Sequence, residues 1–104
     1  MWKLKTIEPS NKPTKKWNAI FYDSETEKYK IVSFGAAGYR DYTLEYAIDK
    51  DEAVKARYNY WRRHLKDLET GNPISPGYLS LFILWGKYPS VEKNMKWYKR
   101  MFSL

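Results

Sequence analysis

The sequence predicts an α+β domain, an N-terminal antiparallel β-hairpin followed by three α-helices. Three observations carry this expectation. Apolar residues alternate at period two across 16–34, and from about residue 51 they recur every three or four residues. Between the two regimes lies Phe34-Gly35-Ala36-Ala37-Gly38-Tyr39-Arg40-Asp41-Tyr42-Thr43, whose two glycines free the backbone to turn.

Taken in order, residues 1–15 contain Pro9, Pro13, Ser10, Asn11 and Thr14, and are predicted to form an extended arm ahead of a single domain over 16–104. Trp17, Ala19 and Phe21 alternate with Asn18, Ile20 and Tyr22, which makes a strand. Ser24-Glu25-Thr26-Glu27-Lys28 is a polar turn, and Tyr29–Phe34 is the second strand, completing a hairpin over 16–34. A lone hairpin is marginal in water, so another element must cover one of its faces. A glycine loop follows over 35–50. Asp49 or Asp51 can then cap a helix over 51–66, on which Val54, Tyr58, Trp61, Leu65 and Leu68 form the expected core-facing stripe. Thr70-Gly71-Asn72-Pro73 ends it. Ser75-Pro76 opens a helix over 76–87 with no charge between Pro76 and Gly86, the expected buried centre. Ser90 caps a last helix over 90–103 with the stripe Val91, Met95, Tyr98, Phe102.

At 104 residues the chain is long enough to bury roughly two-thirds of its unfolded surface. Aromatic residues make up 18% of it, so rings can build the core with little help from Leu or Val. With no cysteine, disulfides, thiolate metal sites and cysteine nucleophiles are excluded. The opening Met1-Trp2-Lys3-Leu4-Lys5 lacks the apolar core of a signal peptide, and the apolar stretch from Leu79 to Trp85 is too short for a membrane span. The expectation is a protein that is not secreted. Net charge is +7, and its placement matters more than its size. Residues 1–52 hold nine basic and nine acidic side chains, whereas 53–104 hold ten basic against Asp67, Glu69 and Glu92. Such one-sided charge points to a polyanionic partner, nucleic acid before an anionic membrane.

The order Phe34–Thr43, then Arg57-Tyr58 with Arg63-His64, then Pro73-Ile74-Ser75-Pro76-Gly77-Tyr78-Leu79-Ser80 leading to Ile83-Leu84-Trp85, and finally Tyr98-Lys99-Arg100-Met101-Phe102 resembles a small basic family of uncharacterised proteins of large double-stranded DNA viruses of eukaryotes. The chain departs from that pattern in a longer Leu44–Asp51 stretch without the family's His, and in Leu81, where a polar residue is usual. The resemblance implies a viral protein located in the virion or in the host nucleus or cytoplasm, with other virion proteins as partners, and implies no activity.

The residues themselves point to phosphate contacts. Arg62, Arg63 and Lys66 share one helix face, and Lys93, Lys96 and Arg100 share another, with Arg57 and His64 beside the first. Each phosphate neutralised adds about −0.9 to the log–log salt slope, and five to seven contacts give roughly micromolar non-specific binding at low salt. Tyr39, Tyr42, Tyr60 and Trp97, the last beside Lys93 and Arg100, are candidates for stacking on bases, and Arg40 with Tyr42 for a groove contact. The expected function is non-enzymatic nucleic-acid binding with little sequence preference, DNA favoured, and with a homo-oligomer as one way to bury exposed rings. The alternative is a structural virion protein docking by its basic face. A second alternative is a nuclease or recombinase-like enzyme built on Arg57, Arg63 and His64 with Tyr42 or Tyr60 as nucleophile. No metal or cofactor is expected. The spacing of Asp41, Glu45, Asp49, Asp51 and Glu52 fits neither a calcium loop nor paired nuclease carboxylates, and Gly35-x-x-Gly38 lacks the lysine of a nucleotide loop. The glycine loop is expected to dock the hairpin on the helices through Asp41 and Tyr42.

Overall fold

The computed structural model describes all residues, 1–104. Three strands, β1 (Trp2–Pro9), β2 (Lys15–Asp23) and β3 (Lys28–Ala36), form an antiparallel meander in the order β1-β2-β3. The helices that follow are α1 (Tyr42–Ile48), α2 (Lys50–His64), α3 (Pro76–Leu79) and α4 (Val91–Phe102). The class is α+β as the sequence predicts, but with three strands and four helices instead of a hairpin and three.

The expected arm is an edge strand, and a bulge explains why it escapes pattern reading. Leu4 pairs with Phe21 while Thr6 pairs with Ile20, so Lys5 is an extra residue in β1. Leu4 and Ile7 are three apart, which in a regular strand places them on opposite faces. The bulge returns both to the face of Ala19 and Phe21, where Leu4 is fully buried. Pro9 ends the strand at the sheet edge, where a missing N–H costs nothing. The other side of β1 is tied to the C-terminal segment. Leu4 N–H donates to the Leu104 carbonyl at 3.2 Å and Lys3 Nζ to that of Ser103 at 2.8 Å.

The β2–β3 pairing places Trp17, Ala19 and Phe21 with Phe34, Val32 and Lys30 on the inner face. That face packs on the segment 76–84, whose Leu79, Leu81, Phe82, Ile83 and Leu84 are all buried, together with Tyr98 of α4. The predicted continuous helix over 76–87 is a short α-helical start, capped by Ser75 Oγ, that passes into a π-helical turn over Ser80–Leu84. Its wider ring shows in Trp85 N–H donating to the Ser80 carbonyl at 3.0 Å. Beyond Leu84 the chain leaves helical geometry, and the carbonyls of Ile83, Trp85, Gly86 and Tyr88 are met by side chains. Asn94 on α4, fully buried, donates to Ile83 O at 2.9 Å and Tyr88 O at 2.7 Å and accepts from Tyr88 N–H at 2.8 Å. Gly86 fits because a Cβ there would lie 2.1 Å from the Phe82 carbonyl and 2.7 Å from the Asn94 amide carbon.

Helix α2 is capped by Asp49, which accepts from Asp51 and Glu52 N–H, but it faces inward by a different side than its apolar pattern suggests. Of the expected stripe, Val54, Tyr58 and Leu65 are 55%, 64% and 53% exposed. The inward face carries Ala53, Arg57, Tyr60, Trp61 and His64. Arg57 Nε donates to the carbonyls of Trp85 at 3.0 Å and Gly86 at 2.9 Å, and Trp61 Nε1 to Trp85 at 2.7 Å. The end of the π turn requires donors, and that requirement sets the rotation of α2. The helix gives way at its end to a 3₁₀ segment, Leu65–Thr70, which stops at Gly71 in the left-handed region. No helix of the structure is long and apolar enough to cross a membrane.

Candidate nucleic-acid interface

The glycine loop is shorter than the sequence suggests, because β3 runs on through Ala36 and α1 occupies 42–48. Gly35 has φ +79°, and a Cβ on it would meet Leu84 Cδ1 at 2.7 Å, so the loop rests directly on the π turn. Gly38, at φ +86°, turns the chain toward α1. Asp41 then does two jobs. One carboxylate oxygen accepts from Leu44 N–H at 3.1 Å as the cap of α1, and the other accepts from Lys16 Nζ at 2.9 Å, tying the loop back to β2. Tyr42 is 7% exposed, packs edge-on against Tyr46, and lies under the Arg57 guanidinium 5.9 Å away. Asp41 therefore ties the loop to the sheet, as expected, while Tyr42 packs between α1 and α2 and makes its contacts among the helices. Tyr42 is a packing residue here and does not present its ring for base contact.

This arrangement leaves a cleft of about 510 Å³ between the loop, the C-terminal half of α2 and the start of α3. Its lining brings together Tyr39, Arg40, Tyr60, Arg63 and His64, all singled out in the sequence, with Lys15, Lys16 and Asp67. Tyr60 anchors the wall, with the Trp85 ring at 4.7 Å and 12° to one side of it and the His64 ring stacked at 4.2 Å. Burial pushes the Tyr60 phenol above its ordinary pKa, with Asp67 adding to the shift and Ser80 and Arg63 opposing it. His64 Nδ1 lies 3.2 Å from Asp67 Oδ2, which fixes the ring. Arg40 pairs with Glu45 at 3.1 Å on the rim. Lys15 and Arg63 have no acidic partner, so the cleft is electropositive where it opens.

The remaining predicted residues divide among other places. Arg62 is exposed on the outer side of α2 and lies over the Tyr58 ring at 5.7 Å, and Lys66 is exposed on the 3₁₀ segment that follows. Lys93, Lys96 and Arg100 are exposed on α4, where Lys96 meets Glu92 at 3.5 Å. Trp97 packs on Phe82 at 5.5 Å as part of the core margin, so its candidate stacking role gives way to packing. Arg57 is held by the carbonyls of Trp85 and Gly86 and is a structural donor before it is anything else. Of the acidic cluster, Asp41 pairs with Lys16, Glu45 with Arg40, and Asp49 caps α2.

Lys15, Lys16 and Asp67 are absent from the residues that the sequence singles out, whereas Tyr39 and Tyr60 are among its stacking candidates. Lys15-Lys16 looks like the solvated end of an arm, yet the hairpin register extended past Trp17–Phe34 pairs Lys15 with Ala36 beside the glycines. That extrapolation is the one signal that could have found them.

Residues 5–64, from β1 to the end of α2, match the model of a protein family described as a family of unknown function (DUF5754). No curated protein matches the chain, and no solved structure does.

Proposed function

The chain belongs to this family of unknown function, and we propose that it is a small non-enzymatic nucleic-acid-binding protein that grips the phosphate backbone with little sequence preference, DNA favoured. The observation that carries this reading is the set of exposed cations without acidic partners, Arg62 and Arg63 at the end of α2, Lys66 just beyond it, and Lys93 and Arg100 on α4. Helices α2 and α4 both touch Phe82, through Trp61 at 5.3 Å and Trp97 at 5.5 Å, so the two basic helices flank one central element. Phosphate contacts from such side chains release counterions and leave base edges unread. A mobility-shift titration on unrelated duplexes tests it. The expected result is sequence-indifferent binding whose log–log salt slope is about −4 to −5. Arg62→Glu with Arg63→Glu is expected to weaken binding at least about tenfold without lowering the melting temperature. No shift at about 50 mM salt overturns the reading, since non-specific phosphate binding is strongest at low salt.

A second reading, a structural virion protein, is favoured by the exposed apolar side of α2. Val54, Tyr58 and Leu65 lie on the surface in company with Arg62, a mixture suited to a protein partner. This reading rests also on the resemblance to proteins of large double-stranded DNA viruses. It predicts that the protein co-purifies with virions after nuclease treatment.

A further inference from the structure

The cleft holds more than an extension of the basic helix faces requires. Two of its cations, Lys16 and Arg40, are occupied by Asp41 and Glu45. Lys15 and Arg63 remain for an anion. Tyr39 stands at the same opening, 73% exposed, carried on a loop that Gly35 and Gly38 turn by positive φ and that the Lys16–Asp41 pair pins. An exposed aromatic ring on a pinned loop, lining one cleft with two free cations, is the complement of an aromatic group joined to a phosphate, and the one further carboxylate of the lining, Asp67, is held by His64. At about 510 Å³ the cleft is in the size range of small-molecule sites. A duplex, at roughly 20 Å across, is too wide to enter a space of that size.

We propose that the cleft between the glycine loop and α2–α3 is a nucleotide site, with phosphate on Lys15 and Arg63 and the base stacked on Tyr39. The nucleotide is either free or the terminal residue of a strand, since both present the same phosphate and base. This goes beyond backbone binding by the helix faces, because it specifies a unit small enough to enter and a stacking contact that duplex phosphates cannot make. The aromatic wall of Tyr60, Trp85 and His64 closes the far side and gives the site its own reporter, Trp85.

The test uses the full chain at about 150 mM salt, where exposed phosphate contacts are screened. Deoxyadenosine monophosphate is expected to bind saturably at one per chain, read by calorimetry and by tryptophan fluorescence. Deoxyadenosine, lacking the phosphate, is expected to bind about tenfold more weakly or worse, and inorganic phosphate likewise for want of the base. Lys15→Gln and Tyr39→Ala are both surface changes without packing cost, and each is expected to weaken the monophosphate about tenfold. Arg62→Glu is expected to leave it unchanged while it weakens duplex binding, so the two sites fail separately. Absence of saturable binding at about millimolar monophosphate overturns the proposal. So does an equal loss from Arg62→Glu and Lys15→Gln, which would place the ligand on the general basic surface. Competition by a 5′-phosphorylated oligonucleotide but not its 5′-hydroxyl form assigns the site to strand ends, and competition by neither assigns it to the free nucleotide. Both results support the cleft.

Discussion

Helices α2 and α4 are built from the same materials, an apolar stripe, a basic side and a Trp that reaches Phe82, yet they use them in opposite ways. In α4 the stripe goes inward, with Tyr98 fully buried and Val91, Met95 and Phe102 packed against the core. In α2 much of the stripe faces out, and Arg57, Tyr60 and His64 go in. Both helices meet the same end of the central segment, where departure from helical geometry leaves carbonyls in need of donors. Helix α4 answers with one compact amide, Asn94, that fits within its apolar side. Helix α2 answers with a guanidinium and an indole, and has to turn that side inward to deliver them. Hydrogen-bond demand at a helix end can therefore outweigh an apolar stripe, because an unpartnered buried carbonyl costs about 1–3 kcal/mol, comparable to burying one aliphatic side chain.

The contrast can be broken from either helix. The largest loss is expected from Asn94→Ala, which strips partners from Ile83 O, Tyr88 O and Tyr88 N–H at once. A cost of about 3 kcal/mol or more, a fall of about 15 °C in melting temperature, is expected by calorimetry. Next comes Arg57→Ala, at about 2 kcal/mol, with its neighbour Tyr58→Ala within about 0.5 kcal/mol in chemical denaturation. If Tyr58→Ala costs as much as Arg57→Ala, the apolar stripe is the buried one and the inverted packing is wrong. A smaller effect, about 1 kcal/mol, is expected from Tyr98→Phe, which leaves the Pro73 carbonyl without its hydroxyl donor. That change also carries a pH signature. Burial holds the Tyr98 phenol well above its ordinary value of 10.0, so the unfolded chain ionises first. Its contribution is whole below pH 10 and is lost as pH rises beyond it. Tyr98→Phe is expected to shallow that alkaline decline, leaving the part due to Tyr60, which burial also holds high.

The candidate site was partly legible, and the reason differs by residue. Arg62, Lys66, Lys93 and Arg100 could be recognised because a solvated cation on a helix face needs only helical periodicity to be placed. Arg57, Tyr42 and Trp97 belong to residue types that suit a binding surface equally well, and their burial depends on which helix side turns inward. Tyr39 was legible as a loop ring, but its meeting with Lys15 in one cleft depends on the hairpin register carried past Phe34 and on two glycines, which periodicity alone does not provide.

Local chemistry settled the α+β class, the Ser75 and Ser90 caps, the uncharged buried segment that begins at Pro76 and the basic second half, and narrowed the α2 cap to Asp49 or Asp51, because capping, alternation and charge are properties of neighbours in the chain. Tertiary packing settled the third strand, the π turn, the rotation of α2 and the cleft. Each of those depends on a partner distant in sequence: the bulge at Lys5 on β2, the open carbonyls of Trp85 and Gly86 on Arg57, and the loop on Lys16 and Leu84.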